Sequence, residues 1–456
     1  MHSIAQREKS LSKLHPASLV ILCLGVIVAQ VDTSVVNLAV QPIGKSLAAS
    51  VTQLQWVVDA YNLVYAALLI SGGLLADLYG RRLIFIIGCI IFTIASLGCA
   101  LAPTIAILIA ARAVTGFGSA LLIPASLSLI RVIYPDEKVR SQALGIWAGC
   151  NGVSLAIGPS LGGYLIHGFG WRAVFLVVVP IGVVAAIGAL LWVSESADRK
   201  GRSFDALGQM LGIVSLGAIT LAAIESSHLP VLWTVLLAFF GFVLLSLFIV
   251  VERRLDQRAL VPIPMFSSGQ FSGAMAGTAA MTFGMYGTLF LFPLTSLSLD
   301  RLSPTEVGLA LLPMALSFVA ISPFSGSLSE HLGKQRMITL GLAAMGLGNL
   351  LLGIAFVENL LIAEEFGLLL TGIGMGLATG PLTAVAVSSV GSERAGTASA
   401  LINVARMVGA TIGVAALGSV FAFFHEPPLG FITAMLCGGS AQLLGSIAAW
   451  RYLKRA

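Results

Sequence analysis

The chain alternates long apolar runs with short polar breaks. Runs of spanning length fall near 17–41, 53–75, 83–101, 104–130, 141–166, 172–193, 206–224, 230–251, 270–294, 305–328, 336–357, 361–390, 397–424 and 430–450. An α-helix needs about 20 apolar residues to cross the hydrocarbon of a bilayer. The pattern therefore predicts an all-α polytopic membrane protein with fourteen transmembrane helices. Two longer polar stretches, 194–205 and 252–269, divide the helices into six, two and six. The expected organisation is an N-terminal six-helix bundle over 1–197, a linker with two extra helices over 198–262, and a C-terminal six-helix bundle over 263–456.

The polar breaks carry a strong charge asymmetry. Alternate loops hold Arg7, Lys9, Lys13; Arg81, Arg82; Arg131, Lys138, Arg140; Arg199, Lys200, Arg202; Arg253, Arg254, Arg258; Lys334, Arg336; Arg394; and Arg451, Lys454, Arg455. The opposite set holds only Lys45, Arg172 and Arg301. Cytoplasmic loops concentrate lysine and arginine, so both termini are expected in the cytoplasm. An apolar run follows the N-terminal Arg7–Lys13 cluster and is itself followed by another, so helix 1 reads as retained rather than as a cleaved signal.

Composition agrees. The chain is 57% hydrophobic and 10% charged, whereas soluble domains are about a quarter charged. The net charge of +5 is then a topology signal, and no nucleic-acid partner is expected. Cys23, Cys89, Cys99, Cys150 and Cys437 sit in or beside apolar runs without metal-ligand spacing, and read as small packing residues. The six histidines, His2, His15, His167, His228, His331 and His425, lie in the tail, in loops or near helix ends. No catalytic constellation and no glycine-lysine phosphate loop is found. An enzyme, a cofactor, a metal and direct drive by ATP are not expected.

A short pattern recurs at the same place in each half. Gly73, Asp77 and Gly80 follow the second helix and precede Arg81 and Arg82. Gly326, Glu330 and Gly333 follow the tenth helix and precede Lys334 and Arg336. Equal spacing at equivalent loops indicates an internal duplication with parallel repeats.

These residues carry a resemblance. The Gly73–Arg82 stretch resembles the signature loop of the major facilitator superfamily, with Leu78 where the family often has a basic residue. Asp32-Thr33-Ser34-Val35-Val36-Asn37 in helix 1 is similar to a motif of fourteen-helix drug:proton antiporters. Arg112 to Ala120 in helix 4 resembles that branch's arginine-glycine motif. Gly145, Gly158, Pro159, Gly162 and Gly163 in helix 5 match the motif that marks antiporters, with Ser154 in place of a glycine. The resemblance implies a proton-coupled plasma-membrane (inner-membrane) exporter, driven by the proton gradient, of amphipathic, cationic drugs or antibiotic-like compounds. It would act as a monomer by alternating access, and an adaptor is left open.

Ionisable groups inside a bilayer are costly and mark function. Asp32 and Asp59 are the acids well inside spans, with Arg112 and Arg406 the bases. Asp32 and Arg112 lie roughly 12 Å below the outer helix ends, and Asp59 roughly 9 Å. Three charges at one level within one bundle point to a proton-coupling site, with Asp32 either titrating or permanently paired to Arg112. Asp59, with no assigned arginine, is the better candidate for a group that changes protonation. Arg406 is expected to bond to Asn403 or to helix-end carbonyls. Gly158, Pro159, Gly162 and Gly163 would let the two bundles rock against each other. Trp56, Tyr61, Tyr65, Trp147, Met281, Phe283, Met285, Tyr286 and Phe290 lie near the expected midplane and are candidates for the cavity wall. Two other readings stay open: a dedicated exporter of one neutral or anionic compound, and a sensor or scaffold without transport.

Overall fold

The protein is described by a computed structural model covering residues 16–197, 205–227, 229–255, 261–391, 394–424 and 426–453. Arg7, Lys9, Lys13, Arg199, Lys200, Arg202, Arg258, Lys454, Arg455, His2, His15, His228 and His425 lie outside the described residues, as does the side chain of Lys138.

Backbone polar groups have no water to bond in hydrocarbon, so spanning segments must satisfy them internally. The described residues obey this with helices throughout: α1 Pro16–Leu47, α2 Val51–Tyr79, α3 Arg81–Leu101, α4 Ile105–Ile133, α5 Glu137–Phe169, α6 Ala173–Trp192, α7 Ala206–Ile224, α8 Val231–Leu255, α9 Gly269–Ser298, α10 Pro304–Leu332, α11 Lys334–Val357, α12 Leu361–Ser388, α13 Ala395–Phe423 and α14 Pro427–Tyr452. Thirteen are long and apolar enough to cross a membrane. The remaining one, α5, has 33 residues, and its seven glycines and several small polar residues lower its apolarity rather than its reach.

The helices extend past the apolar runs because polar side chains cap them. Ser50 and Gln53 form a capping box at α2, and Ser303 and Glu306 another at α10. Asp136 accepts from the Val139 amide at 3.0 Å to start α5. Each cap satisfies amides that helix geometry leaves without a partner. The apolar pattern did not foresee three breaks. Helix α6 loosens at Val177, and α10 breaks at Leu311 and again at a 3₁₀ turn over Ser322–Phe324. Pro313 and Pro323 follow or sit in the α10 breaks, where a proline removes a helical hydrogen bond. The α13–α14 connection is also shorter than the expected 424–430, because α14 begins at Pro427.

Packing repeats between the ends of the chain. The principal partners are α1 with α5 and α6, α2 with α4, and α3 with α4 and α6. The same set recurs eight helices on: α9 with α13 and α14, α10 with α12, and α11 with α12 and α14. Helix prolines follow suit, with Pro42 in α1 matched by Pro293 in α9, and Pro124 in α4 by Pro381 in α12. The halves meet through α2 on α13, α5 on α10 and α1 on α9. Helix α7 lies against both α2 and α13, while α8 packs chiefly on α7 and presents Trp233, Phe239 and Phe242 outward.

Close approach depends on missing side chains. A Cβ on Gly72 would lie 1.9 Å from the Ala120 carbonyl oxygen, and one on Gly116 2.5 Å from that of Tyr61. Small residues give membrane helices their van der Waals contact. We therefore expect Gly72→Val to lower the unfolding temperature of the detergent-solubilised protein by several degrees. Gly149→Ala, which meets nothing within 4 Å, should leave it unchanged. Equal melting of the two variants would contradict the packing account.

Candidate substrate cavity and membrane-embedded charges

Arg112 is fixed from three sides. Its Nη1 donates to Asp32 Oδ2 at 2.6 Å, its Nε donates to the Val57 carbonyl at 3.0 Å, and its guanidinium lies 4.6 Å from the Tyr61 ring centroid. Both charged residues are buried, at 1% and 0% exposure. Of the two readings of Asp32, the geometry places it in a pair. Tyr61 belongs to this cluster rather than to a cavity wall, its hydroxyl sharing a hydrogen bond with Ser119 at 2.9 Å. A buried pair costs desolvation and holds together only through such added bonds.

Asp59 is placed differently. It is fully buried, with the Asn62 side chain beside it and no cation paired with it among the described residues. One turn earlier on the same helix face, Gln55 donates to the carbonyls of Val414 and Ala415 at 3.1 and 2.9 Å. Asp59 follows Gln55 by one turn on the same face of α2.

Contacts between halves cluster at one end. There Gln41 donates to the Leu297 carbonyl at 3.3 Å, and Lys45 meets Asp300 at 3.6 Å. A Cβ on Gly163 would lie 2.5 Å from the Pro304 carbonyl oxygen, and one on Gly308 2.5 Å from that of Pro159. Helix α7 is tied to the same end through Ser419, which donates to the Ala223 carbonyl at 2.7 Å, and through Trp56, whose Nε1 donates to Glu225 at 3.3 Å. Trp56 thus packs on α7 and does not line the cavity. Within helix 5, Gly158 and Gly162 pack on Ser34 and Val35 of α1, inside one bundle. Gly163 and the Pro159 carbonyl make the crossing between bundles, and Gly145 meets nothing within 4 Å.

The other end carries the repeated loops. Asp77 pairs with Arg81 at 2.7 Å, and Gly80 takes a positive φ of 123°. The amides that open α3 are capped by Glu195, which follows α6. Its carboxylate accepts from the Arg82 and Leu83 amides, each at 3.0 Å. A single glutamate in a polar stretch gave no sequence signal for this role. In the second half Gly333 has the matching positive φ of 88°, but Gly326 meets nothing within 4 Å and Glu330 is exposed. The backbone turn repeats, whereas the ionic clasp is confined to the first half among the described residues.

Between the halves lies a cavity lined by Gln30, Tyr65, Ile123, Trp147, Met281, Thr282, Met285, Tyr286, Phe318, Met375, Thr379, Asn403, Arg406 and Met407. Tyr65, Trp147, Tyr286, Met281 and Met285 were expected there. Phe283 and Phe290 are not: the Phe283 backbone packs on Gly413 of α13, and Phe290 is fully buried. Arg406 accompanies the expected residues on this wall, its Nη1 donating to Asn403 Oδ1 at 3.2 Å. No carboxylate is among the lining residues.

Paired bundles enclosing a cavity, wrapped in outward-facing apolar side chains, define a multi-pass membrane transporter, not an enzyme. The Major Facilitator Superfamily model matches residues 22–414 and 274–455, and the chain belongs to that superfamily. It is 36% identical over 404 residues to multidrug resistance protein Stp of Mycobacterium tuberculosis, covering 88% of this chain and 74% of that one. Methylenomycin A resistance protein of Streptomyces coelicolor is 32% identical over 95% of this chain and 91% of its own length. The multidrug efflux pump LfrA of Mycolicibacterium smegmatis is 32% identical, with 95% and 86% coverage. Among solved structures, a peptide transporter POT in complex with sulfate superposes with a TM-score of 0.71 at 15% identity, covering 97% of this chain and 95% of that chain. That likeness speaks to the fold. The protein is a plasma-membrane, multi-pass transporter.

Because the Arg112–Asp32 pair is fully desolvated, removing either partner strands a charge, at a cost of about 3–5 kcal/mol. Asp32→Asn should lower stability markedly in thermal melts, and Asp32→Asn combined with Arg112→Gln should recover part of the loss. A single variant that melts with the parent would show that the pair does not carry this weight.

Proposed function

We propose that the protein is a proton-coupled exporter of amphipathic drugs or antibiotic-like compounds, working by alternating access. The observation that carries this reading is Asp59: a buried acid without a cationic partner among the described residues, one turn along α2 from the Gln55 that bonds to the other half. The relatives' names, multidrug resistance and efflux proteins, support the direction and the class of cargo.

The halves correspond to residues 1–197 and 263–456, with the α7–α8 linker over 198–262 between them, and both termini are placed in the cytoplasm by loop charge. The closed end then faces outward and the cavity opens inward. An ionised carboxylate on a dry helix contact is strongly disfavoured, so the neutral acid fits this state. Proton loss would place a charge on the α2–α13 contact and favour its hydration and opening. Asp32, already compensated by Arg112, holds α1 against α4 and keeps the bundle rigid while this happens. Gly163 and Gly308 supply the α5–α10 crossing about which the halves rock, and the Asp77–Arg81 and Glu195 contacts brace the inward rim. Gly73, Gly80, Arg82, Gly326, Glu330 and Gly333 are assigned to the same rim.

The coupling claim separates the two acids. With a proton gradient imposed on proteoliposomes, Asp59→Asn should cut uphill export at least about tenfold, while downhill exchange of the same compound persists. Asp32→Asn should impair both. Uphill export by Asp59→Asn at the parent rate would sink the assignment.

A further inference from the structure

Arg406 differs from the arginines paired inside the membrane region, Arg112 and Arg301. Arg112 is neutralised by Asp32, and Arg301 by Glu364 at 2.7 Å. Arg406 has no acidic partner among the described residues; its one hydrogen bond is to the neutral amide of Asn403 at 3.2 Å. The rest of its five-donor fork is left to the cavity. Its neighbours on the wall repeat the bias. Gln30 can donate, as can the hydroxyls of Tyr65 and Tyr286, while Thr282 and Thr379 spend their hydroxyl protons on carbonyls of their own helices. Asp32 and Asp59 are fully buried and absent from the lining. The remaining wall is aromatic and thioether surface: Trp147, Phe318, Met281, Met285, Met375 and Met407.

A guanidinium in a low-dielectric cavity calls for a counter-charge. The described residues supply none, which leaves the role to the occupant. We propose that Arg406 is the recognition point for an anionic group on the cargo, making amphipathic anions, such as carboxylates carried on an apolar ring, the preferred substrate class. A cation would meet like charge at the one ionised side chain of the wall, despite the aromatic faces that suit it. The methionines accommodate varied ring shapes, so charge selects while shape does not. This replaces the cationic cargo expected from the sequence resemblance and rests on the exporter reading above.

The test uses three probes on one scaffold: 2-naphthylacetate, 2-naphthylacetamide and 2-naphthylethyl-trimethylammonium. Binding to the full chain in nanodiscs is measured by calorimetry in gluconate buffer near neutral pH, where the acetate is ionised. The parent should bind the acetate at least about tenfold more tightly than the ammonium. Arg406→Gln should lose about tenfold for the acetate and change the amide within about twofold, with Arg406→Lys between. Equal or tighter binding of the ammonium by the parent overturns the proposal without recourse to any variant. So do equal losses for acetate and amide in Arg406→Gln, or no measurable acetate binding at millimolar concentration. Proteoliposome export separates the two readings. Proton-driven export of acetate and ammonium at equal rates leaves the exporter standing and removes the anion preference. Acetate-selective binding without proton-driven export does the reverse.

Discussion

The cost of charge in hydrocarbon organises this molecule. An ion inside a bilayer must be paired, neutralised by a proton or met by a charge from outside, and the reading proposed above assigns these three solutions to three residues. Arg112 is paired, clasped by Asp32 at 2.6 Å and roofed by Tyr61. Asp59 is fully buried with no cation beside it among the described residues, and is proposed to carry the proton. Arg406 faces the cavity with a single neutral contact. In the proposed cycle the first holds a bundle together, the second senses which end is closed, and the third meets the cargo.

These charges have mechanical consequences because the scaffold is duplicated. Every principal pairing among α1–α6 recurs among α9–α14, and the halves touch through equivalent elements, α2 on α13 and α10 on α5. Such an arrangement has two related ways to close, one at each end. The closed end is sewn by backbone approach at Gly163 and Gly308 and by the Gln55 amide. Neither kind of contact needs a formal charge, so a single ionisation nearby carries unusual leverage. Helix α7 adds a strut, tied to α2 at one end through Ser71 and Gln209 and to α13 at the other through Ser419.

Much of this was legible in the chain. Apolar runs placed the helices within a few residues, because spanning length and backbone satisfaction leave little choice. Glycine spacing at Gly73–Gly80 and Gly326–Gly333 revealed the repeat, since the positive φ of Gly80 and Gly333 is a local demand that local sequence records. Intramembrane rarity singled out Asp32, Asp59, Arg112 and Arg406. What stayed hidden depends on which way a helix is turned. Trp56, Tyr61, Phe283 and Phe290 share composition and depth with Tyr65, Trp147 and Tyr286, yet face α7, Arg112 or the packed core instead of the cavity. Glu195 caps α3 from more than a hundred residues away, and no periodicity announces it. The cavity's charge was likewise invisible until the acids were seen to lie outside its wall.

In the proposed cycle the charge state of Asp59 decides whether the α1–α2 end of the molecule is closed. Spin labels at Lys45 and Asp300, an exposed surface pair 3.6 Å apart whose loss costs little, report on that end by pulsed dipolar distance measurement. In the parent, raising the pH should shift the distance distribution from short to long as Asp59 loses its proton. Asp59→Asn should stay short across the same range. A variant that opens with pH as the parent does would contradict the account.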